Sequence, residues 1–197
     1  MALQSPVVET PNLRLRPLRK DDAAAITAYL INPAIQRYLD QRVREARAAD
    51  EAFAAMQRLS RLTRVGDTLC LAIERRRDGT VLGHVSLRWV DATAGQGEIR
   101  IVLAPQFRGE GYGTEVMRAM LAHGFDTLGL HRIFARCGSS PAAIALLKSV
   151  GMRMEAHFRE HALFQGNWDE ELHFALLARE WKRPAKVSAL LSRAQVA

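Results

Sequence analysis

Cysteine is scarce in this chain. Its 197 residues hold two, Cys70 and Cys137, each inside an apolar, strand-like run. Two such thiols do not make the disulfide framework of a small secreted domain, and they suggest no metal site. Reduced, buried thiols are expected, and with no partner base indicated near Cys137 that residue reads as structural, not as a nucleophile. Long apolar runs are missing too: nothing approaches the about 20 residues that a membrane-spanning helix needs. The first residues, Met1-Ala2-Leu3-Gln4-Ser5-Pro6, lack the charged and apolar regions of a signal peptide. A cytoplasmic protein with no membrane partner is therefore expected. No internal repeat or low-complexity block appears. Clustered cations are the last absence. Lys and Arg number 28 against 21 Asp and Glu, a net charge of +7, and such a balance attracts nucleic acid, ribosome surface or acidic ligands. Yet the cations are scattered, as in Arg58, Arg61 and Arg64 or Arg75, Arg76 and Arg77, and aromatic residues do not alternate with them. They read as a solvated surface, with nucleic-acid binding the disfavoured alternative.

What the chain does have is enough apolar material, 48% of its residues, for one well-buried core but hardly for two domains. Its organising stretch is Arg108-Gly109-Glu110-Gly111-Tyr112-Gly113-Thr114-Glu115. An apolar run over residues 99–104, strand-like and ended by Pro105, precedes it. Val116, Met117, Met120, Leu121, Phe125 and Leu128 follow at helical spacing. A strand, a glycine-rich turn and a helix N-terminus in that order form an anion cradle, because free backbone N–H groups and the helix dipole both favour negative charge there. The turn is not a P-loop, since no Lys-Ser/Thr pair follows the last glycine, and glycines at 109, 111 and 113 miss the Rossmann spacing. Taken alone, it is equally a turn that merely caps a helix.

Around this loop the elements follow in order. Residues 1–9 read as loosely ordered, and residues 13–18 alternate apolar and basic side chains like a half-exposed strand, with Pro17 at its end. Asp21 and Asp22 open a helix that stops before Asn32-Pro33, and a short turn through Ile35 and Tyr38 follows. Residues 45–64 form a helix with Phe53, Met56 and Leu59 or Leu62 on one face. Residues 69–74 and 81–90 are strands joined across Asp78-Gly79. Residues 93–97 are a flexible link to the strand from Glu98. After the loop and its helix come a strand over 133–137 and a helix over 141–150, begun by Ser140-Pro141 and ended by Gly151. A final hairpin spans 152–164 and 168–177 around Gln165-Gly166-Asn167. The tail, 183–197, carries Val187, Leu190 and Leu191 at amphipathic spacing. This order is α/β with a mixed, mostly antiparallel sheet of six to seven strands, and residues 10–182 read as a single domain.

Arg108-x-x-Gly111-x-Gly113 between a strand and a helix resembles the acetyl-CoA diphosphate loop of the GNAT N-acetyltransferase superfamily. Leu13-Arg14-Leu15-Arg16-Pro17-Leu18, Gly97-Glu98-Ile99, Leu128-Gly129-Leu130-His131-Arg132-Ile133 and Trp168-Asp169-Glu170 resemble its RimJ/RimL branch, which acetylates the N-termini of ribosomal proteins. The resemblance covers about residues 10–182. It implies the GNAT fold, with a splayed central strand pair into which the pantetheine arm enters like a missing strand. It implies acetyl-CoA as co-substrate and no metal. The arm would meet backbone groups of Val102, Leu103 and Ala104, one of whose N–H groups would face the oxyanion. The diphosphate would take the N–H groups of Gly109, Gly111, Gly113 and Thr114 with Arg108 as charge partner, and Tyr112 would pack at the loop. His131 and Arg132 are weaker candidates for the same ligand.

For the base that frees the amine, Glu98 is the first choice and His84 the second; each is otherwise an ordinary strand residue. Glu160 and His161 on the last hairpin read as contacts to the acceptor. The sequence departs from the family pattern after the fifth strand. Relatives commonly have Asn and, three residues on, Ser or Ala where this chain has Ser140 and Ala143, and many GNAT enzymes place a tyrosine acid at the position of Leu147. Ser140 or water would then protonate the leaving thiolate. The implied activity is N-acetylation of a protein N-terminus, a polyamine, an amino acid or an antibiotic amine in a ternary complex. A non-catalytic acyl-CoA sensor and a basic ribosome-associated factor stay open beside it, and a second copy of the chain is a candidate partner.

Overall fold

The computed structural model describes residues 6–36, 39, 43, 45–164 and 166–182. Eight strands form one sheet in the order β1-β2-β3-β4-β5-β6-β8-β7. They are β1 Val8–Glu9, β2 Leu13–Pro17, β3 Thr68–Arg75, β4 Val81–Asp91, β5 Gln96–Leu103, β6 Arg132–Cys137, β7 Arg153–Phe164 and β8 Asn167–Leu177. Every neighbouring pair is antiparallel except β5 and β6. The helices are α1 Ala23–Leu30, α2 Pro33–Gln36, α3 Ala46–Arg58, α4 Tyr112–Ala122 and α5 Pro141–Ser149. Both sheet faces are covered at the centre, which is why β3 reads as a continuous apolar run and not as an alternation. Leu69, Leu71 and Ile73 face α4, whose Val116, Met117, Met120 and Leu121 are all buried, while α1 and α3 cover Val102 and Ala104 on the other face with Ile26, Tyr29, Leu30 and Phe53. Each such aliphatic side chain contributes at most about 1.5–3 kcal/mol by leaving water.

The eighth strand is the two-residue β1, in the stretch read as loosely ordered; Val8 pairs with Leu15 and Glu9 with Arg14. The helix expected over 45–64 ends at Arg58, because the next backbone groups are captured by β3: the Cys70 N–H donates to the Leu59 carbonyl at 2.6 Å. The link at 93–97 is a tight turn, with the Ala94 N–H on Asp91 and the Gly95 carbonyl accepting the His131 N–H. Past Ala122 the α4 chain widens into a π-helical turn, His123–Thr127, closed by the Leu128 N–H on the His123 carbonyl. Tyr38, Gln165 and the tail over 183–197 lie outside the described residues.

Two features of the sheet shape the molecule most. The first is the β5–β6 pairing, which covers Gln96–Arg132, Gly97–Ile133 and Glu98–Phe134 and then stops, although both strands continue. The pair splays. The second is polar. Arg16 on β2, 4% exposed, grips Asp22 with both terminal nitrogens at 2.7 and 2.8 Å and gives its Nε to Glu74 on β3 at 2.5 Å. Asp22 also accepts the Arg19 N–H at 2.7 Å. This triad ties the entry to α1 onto the sheet.

Candidate active site

The β5–loop–α4 passage folds as its glycines require. One helical turn, Pro105–Phe107, follows β5, and then Gly109 and Gly111 take φ of +82° and +84°, the left-handed region that side chains avoid. A Cβ at either would meet nothing within 4 Å, so backbone shape and not crowding calls for glycine there. Gly111 is the N-cap of α4 and offers no side chain to the first-turn N–H groups. A cavity of about 450 Å³ opens beside them, with Arg108, Gly109, Gly111, Gly113 and Thr114 on one wall and Ser140 and the small residues Ala142 and Ala145 of α5 on the other. Donors without a side-chain cap, glycine backbone and open space together suit a diphosphate, so these residues fit acetyl-CoA. Arg108 leans back over β5, its Nε donating to the Leu103 carbonyl at 3.1 Å. Tyr112 packs its ring against the core instead of the cavity. The N-terminus of α4 is held by Glu115, which accepts the Asn12 backbone and side-chain N–H groups at 2.8 and 2.9 Å.

Beyond Glu98 the edge of β5 faces the gap. The Ala104 N–H donates to the Leu82 carbonyl at 2.9 Å, toward β4, and strand alternation turns the Val102 groups the same way. The backbone groups that look into the gap are therefore those of Ile101 and Leu103. Of the trio read from the sequence, Leu103 turns its backbone groups to the gap, while Val102 and Ala104 spend theirs on the sheet; a strand's edge polarity is not visible in side-chain pattern.

A second cavity, about 390 Å³, continues from the first and shares Ile101, Val102, Ala143 and Leu146 with it. It leads through the splay to the face under α1, where His84, Ser86, Arg100 and Arg136 line it, with Asp169, Glu170 and Glu171 of β8 alongside. His84 stacks on Tyr29, and burial pushes its pKa down to about 4. Glu98 is 4% exposed and lines neither cavity; its Oε1 accepts the Nε groups of Arg100 and Arg136, both at 2.9 Å. Two charge-assisted bonds hold Oε1, and the buried carboxylate reaches neither cavity, which opposes service as a free base. Its plain role is to set the two arginines that do reach the cavity. Glu98→Gln should accordingly cost about 1–2 kcal/mol of stability, the low end for charged hydrogen bonds because the arginines are part-exposed, read as a lower urea midpoint. A kcat loss restored at high pH with the midpoint unchanged would return Glu98 to the role of base.

Other sequence-read residues fall differently. Ser140 lines the loop-side cavity. Leu147 is buried in the core and Ala143 lies where the cavities meet. Cys137 is not fully buried: it lines the second cavity, its thiol pushed up to about 11 by burial and then by Glu171. Glu160 sits in a bulge at φ +51°, and His161 reaches toward Glu171 at 3.9 Å without lining the cavity. His131 and Arg132 stand at the closed end of the β5–β6 pair, where Arg132 binds Gln96 and Glu155, away from the loop. The residues that sequence reasoning passes over are Arg100, Arg136 and Glu171. Period-two alternation from Glu98 sets Arg100 on its face; Arg136 and Glu171 need the β6–β8 pairing. Glu171 accepts His173 Nε2 at 2.7 Å and lies 3.9 Å from Arg136.

Comparison with known proteins agrees with this geometry. The sequence profile of the acetyltransferase (GNAT) domain matches residues 12–153, well over half of the chain. The chain is 34% identical to the uncharacterized N-acetyltransferase YnaD of Bacillus subtilis over 85 residues, 43% of this chain and half of that one. It is 25% identical to the uncharacterized N-acetyltransferase p20 of Bacillus licheniformis over 87% of this chain and 96% of that one. In fold it is similar to spermidine N-acetyltransferase from Vibrio cholerae in complex with CoA and spermine, with a TM-score of 0.73 and 20% identity over 86% of this chain and 97% of the other. With its glycine cradle, its splayed strands and this profile match, the chain belongs to the GNAT acetyltransferase family, enzymes whose acyl donor is acetyl-CoA.

Proposed function

We propose that this protein transfers the acetyl group of acetyl-CoA directly to a primary amine, with both substrates bound at once, in the manner of the RimJ/RimL branch. One observation carries the reading: an anion cradle and a cavity bordered by carboxylates meet through the splay of a single sheet. The diphosphate takes the N–H groups of Gly109, Gly111, Gly113 and Thr114, and the pantetheine arm lies along Ile101 and Leu103. The acceptor arrives as an ammonium attracted by Asp169, Glu170 and Glu171. It gives its proton to one of these carboxylates or to water, and its lone pair then attacks the carbonyl carbon. The C–N bond forms, the C–S bond breaks, and the thiolate takes a proton from Ser140 or water, which is replaced by the second proton that the nitrogen loses as it becomes the amide. A thiol of pKa about 8.5 leaves without strong acid help. The acceptor is a protein N-terminus or a small amine; the spermine-bound neighbour supports a cationic one. We place the enzyme in the cytoplasm and as a homodimer, the latter because Met154, Leu163 and Trp168 on the terminal hairpin are exposed apolar side chains.

The test is release of CoA thiol above the hydrolysis background with a panel of polyamines, amino acids, antibiotic amines and ribosomal-protein N-terminal peptides. If CoA binds and no amine stimulates release, the acyl-CoA sensor, favoured by Leu147 and Ala143 in place of an acid, takes precedence. Arg108→Ala should raise the KM for acetyl-CoA roughly ten- to hundredfold, as loss of one charged hydrogen bond implies, with the amine KM unchanged. A change confined to the amine KM would make Arg108 an acceptor-site residue.

A further inference from the structure

His84 lies on β4, paired with Ala72 on β3 and Val102 on β5. Its ring rises from the sheet face that α1 covers, and there Tyr29 stacks on it with ring centroids 5.9 Å apart and 16° between the planes. The Tyr29 hydroxyl lies 2.7 Å from His84 Nδ1. Tyr29 is 4% exposed, and among the described residues that nitrogen is the only hydrogen-bond partner of its hydroxyl. This decides the direction of the bond. Were Nδ1 the donor, the buried phenolic proton would have no acceptor among the described residues, whereas donation from the hydroxyl satisfies both atoms at once. Burial also keeps the phenol protonated, since it pushes the Tyr29 pKa up. With Nδ1 accepting, the single hydrogen of a neutral imidazole must sit on Nε2.

We propose that Tyr29 fixes His84 as the Nε2–H form, and that this N–H is a hydrogen-bond donor to the acyl carbonyl oxygen as negative charge grows on it; His84 is an electrostatic stabiliser and not the base. The inference rests on the proposed acetyl transfer. His84 lines the second cavity and stands across β4–β5 from Val102, which lines both, so its ring is next to the junction where an acyl group entering from the loop would meet an amine entering from the other side. Its surroundings oppose a charged ring. Arg100 and Arg136 line the same cavity and disfavour a third cation. Asp169, Glu170 and Glu171 line it too, with Arg136 3.9 Å from Glu171. Behind Tyr29 the titratable neighbours are Asp22 and Cys70. Burial, which lowers the ring to about pKa 4, agrees with a neutral donor at working pH. A neutral N–H can hold a developing oxyanion without handing over its proton. Through the step the C–N bond forms and the C–S bond breaks, the amine's proton leaves by carboxylate or water, and His84 keeps its own.

The decisive measurement is the ¹⁵N spectrum of the His84 imidazole in the full chain between pH 6 and 9, assigned by its loss in His84→Gln. One protonated nitrogen, Nε2, with no titration across that range is expected. Tyr29→Phe, which keeps the ring and its stacking, should convert the signal to a mixture with Nδ1–H. In turnover, His84→Ala should lower kcat by about 10²–10³, the usual effect of removing one oxyanion donor. His84→Gln, which returns an N–H near the Nε2 position, should lose at least tenfold less. An Nδ1–H tautomer, a ring that titrates between pH 6 and 9, a tautomer indifferent to Tyr29→Phe, or His84→Gln as impaired as His84→Ala would each overturn the proposal. Should no amine support turnover, the acetyl-transfer reading fails on that ground, while the spectrum still judges the tautomer.

Discussion

Gly111→Glu should reduce CoA affinity by at least about 100-fold in titration calorimetry, while the protein stays folded. Two costs are involved, and a control separates them. Any L-residue at φ +84° is strained, by about 1–2 kcal/mol in the left-handed region. Since a Cβ at Gly111 meets nothing within 4 Å, Gly111→Ala carries that strain and little else. The glutamate adds a carboxylate beside the first-turn N–H groups of α4, in the space a diphosphate would take. Losing two charge-assisted hydrogen bonds at ~1.5–3 kcal/mol each gives the expected factor. Stability should therefore be alike in the two variants and CoA affinity very different. Equal affinity for wild type and Gly111→Glu would rule out the cradle.

Arg16→Met should be the most damaging single change to the fold. It leaves Asp22 and Glu74, both buried, without their shared cation, and breaking a buried ion pair from one side typically costs about 3–5 kcal/mol. Against a total of about 5–15 kcal/mol for an ordinary domain, a large fall in the urea midpoint is expected. The pH dependence carries a signature. Burial alone would raise the Asp22 pKa, but the Arg16 hydrogen bonds and the Arg19 N–H outweigh it and hold it below the ordinary 3.8. A depressed carboxylate adds stability that is present above the unfolded pKa and lost as pH falls through the folded one. Wild type should thus weaken below about pH 4, from the ordinary carboxylate value. In Arg16→Met the unpaired carboxylates gain by protonation, so acidification over the same range should relieve part of the defect. A variant as stable as wild type at pH 7 would show that the triad is ornamental.

Much of the fold is legible in the sequence. The alternation at Leu13 and Leu15, the Asp78-Gly79 turn and the period of Val116, Met117, Met120 and Leu121 are local signals, and the elements form where those signals lie. The glycine loop is legible for the same reason, since φ above zero asks for glycine whatever surrounds it. The end of α3 is not, because a bond from Cys70 to Leu59 decides it. The surroundings of the candidate base are hidden from the sequence for a related reason. Glu98 looks like a lone strand carboxylate until β6 sets Arg136 beside it and Arg100 folds back onto it. Likewise nothing near His84 in the chain announces Tyr29, which is 55 residues away. Arg14 and Arg16 read as solvent-facing members of an alternating strand; the second is instead at the centre of a buried triad.

The splay also governs traffic. Because the passage opens by the glycine loop on the α4 and α5 side and by the carboxylates under α1 on the other, donor and acceptor would use separate doors in the transfer proposed above. Neither spent CoA nor the acetylated amine has to pass the other on the way out. A bulky acceptor, even the end of a folded polypeptide, can stay seated at its own entrance while the nucleotide is exchanged behind it.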